Sequence, residues 1–147
     1  MKTLGRFSLI LVFLLTSTSY SFACLCFRPE NPKEALKDFS EVVFSGELIS
    51  MDGITLNFEV ERVWKGVNKK EIQVQDSNIG TSCASAIYIV GQRYVMFARV
   101  TNDRGEILTD EENKPVIVAD TCSWISNLAT VKGRKVLKKI GKGKSIK

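Results

Sequence analysis

The sequence predicts a mainly β protein whose sheet curls into a small barrel, with a short helix ahead of the strands and a second helix after them. Three observations carry this. Residues 54 to 61 alternate without a break, Ile54, Leu56, Phe58 and Val60 against Thr55, Asn57, Glu59 and Glu61, the period of a strand with one wet face. Asp52 and Gly53 stand just before that run as hairpin turn residues, and ahead of them Val42, Phe44 and Leu48 fall on one side of a strand with Val43 and Ile49 on the other. Gly46 lies inside this first strand, where a missing side chain weakens packing unless the strand bends or bulges, as strands do when a small sheet closes on itself.

The chain opens with a basic start (Lys2, Arg6), an apolar run from Leu9 to Leu15 and a polar stretch ending in Ser21, Phe22 and Ala23. This is the pattern of a signal peptide over residues 1–23, with cleavage between Ala23 and Cys24. The apolar run is far shorter than the roughly 20 residues a membrane-spanning helix needs, and no later segment comes close, so no transmembrane segment is expected. The product is expected outside the cytoplasm, secreted or periplasmic. A lipoprotein signal also places cysteine first, but it usually has an aliphatic residue where Ser21 stands and a small one where Phe22 stands. Lipidation of Cys24 is therefore the alternative reading.

Asn31, Pro32, Lys33 and Glu34 form a helix start: Asn31 can cap, Pro32 suits the first turn and Glu34 can complete a capping box. Ala35, Leu36 and Phe39 then recur at helical spacing over two to three turns. Beyond the hairpin, short strands fit Glu71 to Asp76, Tyr94 to Val100 and Pro115 to Ala119, with a weaker one near Glu106 to Thr109. Turn signals stand between them at Asn68, Gly80, Gly91 and Gly105. After Ser123, Leu128, Val131 and Ile140 sit at loosely helical intervals, predicting a C-terminal helix that frays into lysine and glycine. Trp64, following an alternating strand, reads as a core or rim aromatic in preference to a ligand platform.

Without the signal, 124 residues remain, enough for one hydrophobic core, and we divide them into a domain over 24–131 and a basic tail over 132–147. Charge is segregated along the same line. The tail holds eight basic residues and no acid, whereas residues 24–131 hold 11 basic against 16 acidic, a net of −5. Lys132, Arg134, Lys135, Lys138 and Lys139, with Lys142, Lys144 and Lys147 beyond them, can attract anionic lipid headgroups or polyanionic polymers; the plainer reading is a solvated end that aids solubility. An exported chain with an acidic body and few exposed aromatics is not expected to bind nucleic acid.

The sequence contains no histidine, which removes Ser/His/Asp and Cys/His catalysis and every zinc site that depends on imidazole. No paired carboxylates or nucleophile motif stands out either, so a binding protein is expected in place of an enzyme, with no cofactor. Four cysteines in a small exported domain read as two disulfides. A four-thiolate zinc site competes, but the paired C-x2-C knuckles that announce one are missing. Cys24 and Cys26 are one residue apart, so a bond between them demands a strained ring, and in extended chain they point the same way. Each therefore reaches a distant partner, Cys83 or Cys122, in either of two arrangements. Loops of that length stabilise by roughly 4 kcal/mol apiece in the chain-entropy model.

A mature chain opening Cys-x-Cys, a short helix, a hairpin ending Val63-Trp64-Lys65-Gly66, a mid-chain cysteine before Gly91-Gln92-Arg93-Tyr94-Val95-Met96-Phe97-Ala98, and a late Cys122 together resemble the bacterial relatives of the tissue inhibitors of metalloproteinases, a netrin-like group. The resemblance runs to about Trp124. It implies a five-stranded OB-type barrel with helices at its side, and disulfides Cys24 to Cys83 and Cys26 to Cys122. It also implies a function, inhibition of a zinc metalloendopeptidase. In inhibitory members the α-amino group and carbonyl oxygen of the first cysteine chelate the protease's zinc, so Cys24 would be the chelator, through its backbone only. Leu25 would enter the substrate pocket, and Cys26, Phe27, Arg28 and Pro29 would lie along the cleft. Catalytic zinc keeps an open position filled by water, and an α-amine with a pKa near 8 has a useful neutral fraction at physiological pH. The chain departs from the animal inhibitors in lacking a third disulfide and the C-terminal subdomain. The runner-up is an exported structural or adhesive OB-fold module with no inhibitory activity.

Overall fold

The computed structural model describes residues 29–84, 86–101, 105–120 and 122–146. The signal-peptide segment and the residues from Cys24 to Arg28 lie outside the described residues. The described chain is mainly β: seven strands in one curled sheet, with two short helical segments.

Helix α1 begins at Pro32–Glu34 and continues as a π-type turn over Ala35–Phe39. The Asn31 side chain accepts hydrogen bonds from the backbone N–H groups of Lys33 and Glu34, and its amide donates weakly back to Glu34, so the first turn is satisfied as the residue types dictate. Strands β1 (Val42–Asp52) and β2 (Thr55–Lys65) form the long hairpin around Gly53. Strands β3 (Glu71–Asp76), β4 (Arg93–Ala98), β5 (Ile117–Ala119), β6 (Trp124–Asn127) and β7 (Lys144–Ser145) complete the sheet. The order is β5-β3-β2-β1-β4-β6, with β7 added beside β2. Only β3 and β5 run parallel.

Curvature has an identifiable source. The β1 and β2 register shifts between Val43 and Phe44, between Ser45 and Gly46 and between Leu48 and Ser50. At the middle shift a side chain on Gly46 would collide with the Glu59 carbonyl oxygen across the hairpin, so the close approach needs glycine. The curl brings the outer strands toward each other. Arg99, just past β4, and Val118, within β5, exchange both backbone hydrogen bonds, at 2.9 and 2.6 Å.

Two hydrophobic clusters lie on opposite faces of the sheet. The inner one gathers Phe44, Leu48, Leu56, Phe58, Tyr94 and Met96 with their neighbours, Phe44 and Phe58 meeting edge to face at 5.4 Å. The outer one joins Val43, Val95 and Phe97 to Ala35 of α1 and to Val136 and Ile140 of helix α2 (Val131–Ile140). On β2 the outward side carries Glu59 exposed and Thr55, Asn57 and Glu61 half-buried, so that strand keeps the wet face its alternation predicts. Where β1 and β4 pair, helices cover the sheet.

Several expectations change at this level. Ile54 is not a core residue but exposed at the hairpin tip, because the turn carries it past the edge of the inner cluster. The segment near Glu106 to Thr109 forms only isolated bridges, Thr101 with Ile107 and Thr109 with Pro115. The stretch after Ser123 enters as strand β6, paired with β4, and the helix starts only after Thr130, whose hydroxyl accepts from the Gly133 N–H at 3.0 Å. Residues 132–146, set apart in sequence as a tail, are packed against the sheet through Val136 and Ile140 and return to β2 through β7. Among the described residues no helix is long and apolar enough to cross a membrane.

Candidate functional site

Of the edge residues singled out in sequence, Cys24, Leu25, Cys26, Phe27 and Arg28 lie outside the described residues, and Pro29 is where the description begins. Pro29 is buried. It lines one small pocket with Phe39, Ser40, Phe97, Cys122 and Trp124, a space of about 10 Å³ that holds one water at most. The chain therefore enters the fold beside Cys122. Cys83 and Cys122 are both disulfide-bonded, and no described cysteine is free.

Each of these two cysteines stands on a turn that polar side chains hold in shape. Cys122 sits between β5 and β6 in a turn closed from both ends: the Asp120 N–H donates to the Ser123 hydroxyl at 2.8 Å, and that hydroxyl donates to the Asp120 carboxylate at 3.0 Å. Arg99 pairs with the other oxygen of Asp120 at 3.3 Å, tying the turn to the end of β4. The Cys83 loop follows β3 and is held by Asp76. This carboxylate is fully buried, and it accepts from the Asn78 N–H at 2.9 Å and from the Tyr88 hydroxyl at 2.7 Å, one bond on each oxygen. Within the loop, the Thr81 hydroxyl donates to the Asn78 carbonyl and accepts from the Cys83 N–H.

Two tyrosines bracket the return of this loop. Tyr94, buried against Phe58, accepts from the Ile89 N–H at 2.8 Å and donates to the Ile87 carbonyl at 3.2 Å, and its ring lies 5.7 Å from that of Tyr88. Burial, and then the adjacent Asp76 charge and hydrogen bond, push the Tyr88 hydroxyl well above its ordinary pKa of 10.0, so it remains a donor to Asp76. Sequence reasoning missed this network. The available signal was Asp76-Ser77-Asn78 at a strand end, an Asx-turn composition; the contact with Tyr88 is tertiary and left no local trace.

The same end of the sheet carries an apolar rim. Ile87, Ile89 and Val90 on the loop are exposed, the first at 84 %, and so are Ile49, Met51 and Ile54 on the hairpin. Backbone bonds join the two: Gly91 donates to the Leu48 carbonyl, Leu48 to Gln92, and Asp76 to Ile54. An open groove of about 920 Å³, which shares Ile49 with this rim, runs along β2 and β3, where Asn57, Gln73, Lys69, Lys70 and Lys114 surround Ile72 and Val116.

Trp64 is half-buried, packs on the outer cluster and donates from its indole to the Gly141 carbonyl at 3.2 Å; it is a rim residue that seats the chain after α2. Lys132, Arg134, Lys135, Lys138 and Lys139 all sit exposed on α2. Among the described residues no group of three or more His, Cys, Asp or Glu side chains comes together in a way that could hold a metal. No family model matches the chain, and no curated protein matches it at a significant level.

Proposed function

We propose that this protein is an exported, disulfide-stabilised inhibitor of the tissue-inhibitor-like class, whose N-terminal segment from Cys24 to Pro29 binds a zinc metalloendopeptidase. In this reading the curled sheet is an OB-type barrel, built from β1-β2-β3-β5-β4 and closed where Arg99 meets Val118. The observation that carries the proposal is the buried Pro29 in one pocket with disulfide-bonded Cys122. Pro29 stands three positions after Cys26, a reach of about 10 Å at most. That suits a Cys26 to Cys122 bond and leaves Cys83, on its braced loop, for Cys24.

Two such bonds would hold the first residues extended and lower the ordering cost of binding. The unblocked α-amine and carbonyl oxygen of Cys24 then take the open position on the protease's zinc, and Leu25 fills the adjoining pocket. The exposed rim of Ile87, Ile89 and Val90 adjoins the Cys83 loop and supplies apolar area beside the chelating end. The protein acts by occupying a site and performs no turnover of its own, in keeping with a sequence without histidine.

Titration of zinc endopeptidases with the native protein and with a form extended by one N-terminal alanine tests this. Inhibition by the native form and none by the extended form is expected. Equal inhibition by both overturns chelation through the amine. The open groove on β2 and β3 favours a second reading, an exported OB-fold module that binds a ligand there without inhibiting. A correctly processed N-terminus that inhibits no member of the panel selects it.

A further inference from the structure

We propose that the outward face of α2, together with the chain that follows it, docks on an anionic lipid bilayer. Six positions of Val131–Ile140 are exposed, and five are cationic: Lys132, Arg134, Lys135, Lys138 and Lys139, with Val131 the sixth. Gly133, Val136 and Ile140 point inward, so the helix is fixed with its charge outward. Lys142 and Lys144 continue the exposed array, and β7 sets exposed Arg62 opposite Ser145.

Among the described residues, no ion pair neutralises the helical part of the array, Lys132, Arg134, Lys135, Lys138 and Lys139. No acidic residue follows Asp120. The neighbouring helix α1 carries Lys33 and Lys37 against Glu34 and Asp38, which cancel.

The pattern also works against the helix itself. Lys132 and Arg134 stand at the positive end of the macrodipole with no acid in the first turn, and Lys135 faces Lys138 and Lys139 at spacings where like charges repel. Lys138 and Lys139 suit the negative end of the dipole in the last turn, and Arg134 donates to the Ala129 carbonyl at 2.6 Å. Lys132 and Lys135, however, gain nothing from the helix, and the clustering of all five on one exposed face is accounted for by an external anionic partner.

The shape selects the partner. The charges spread over two to three turns of a convex helix, about 15 Å long, and none of these side chains lines either groove. A broad convex array of mostly lysine, a compact point charge without the fork that reads single phosphates, fits a plane of headgroups better than a strand held in a cleft.

The test is sedimentation of the intact, oxidised protein with vesicles of equal parts phosphatidylglycerol and phosphatidylcholine, against vesicles of phosphatidylcholine alone. Binding only to the anionic vesicles, lost in about 1 M salt, is expected. The triple variant K135Q/K138Q/K139Q is expected to bind about 100-fold more weakly, at about fivefold per lysine, while melting no lower than the parent. K69Q/K70Q/K114Q, with the same change in net charge on the groove side, is expected to bind as the parent does. Equal weakening by both triples overturns the surface in favour of bulk charge. Equal binding to neutral vesicles overturns the electrostatic basis, and capture by a soluble polyanion such as polyphosphate without capture by anionic vesicles overturns the bilayer as the partner.

Discussion

At the scale of single residues, the Asp76 to Tyr88 contact decides how firmly the Cys83 loop is held. A fully buried carboxylate that loses one of its two donors keeps the desolvation cost without the compensation. Tyr88→Phe is expected to lower unfolding free energy by about 2 kcal/mol in a urea titration, with the inner cluster otherwise unchanged. The same contact predicts a pH dependence. The folded-state pKa of Tyr88 lies above its unfolded value of 10.0, so the folded protein holds the proton where the unfolded chain releases it. The contribution is complete below pH 10 and falls as pH rises beyond it, at up to about 1.4 kcal/mol per pH unit. Stability measured across that alkaline range should decline less steeply in Y88F; identical slopes would contradict the assignment.

At the scale of elements, α2 depends on a close approach. A side chain on Gly133 would collide with the Asn127 carbonyl oxygen, on the strand the helix packs behind, and no flexible group is there to yield. Gly133→Ala is expected to cost about 1 to 3 kcal/mol in the same titration and to loosen the contact of Val136 and Ile140 with Val43, although alanine is the better helix former. The elements legible in sequence were β2 and β3, whose burial alternates along the chain, the strands β1, β4 and β5, read from short apolar runs bounded by turn residues, and α1, whose Asn31 cap is a local signal. Strand β6 was not legible, because Ile125 and Ser126 are both buried and the four-residue run carries no alternation. Nor was β7, two exposed residues paired by tertiary contact alone.

At the scale of the whole molecule, the chain separates an apolar rim and the braced Cys83 loop from a cationic helix, with one curled sheet between their supporting contacts. The sequence indicated the charge separation and four cysteines meant for long-range bonds; it did not indicate that the basic end folds back against the sheet, since that depends on Val136, Ile140 and Trp64 finding partners far away in the chain. Under the proposed pairing, reduction removes two long closures, each worth roughly 4 kcal/mol in the chain-entropy model, so thiol treatment should bring the urea midpoint down sharply and release the Pro29 contact. The most direct test is a mass-spectrometric map of the secreted, unreduced protein, read for its first residue and its sulfur partners. Cys24 with an unmodified amine, joined to Cys83, and Cys26 joined to Cys122 are the predicted result. An acylated N-terminus or the crossed pairing would contradict the proposed binding edge.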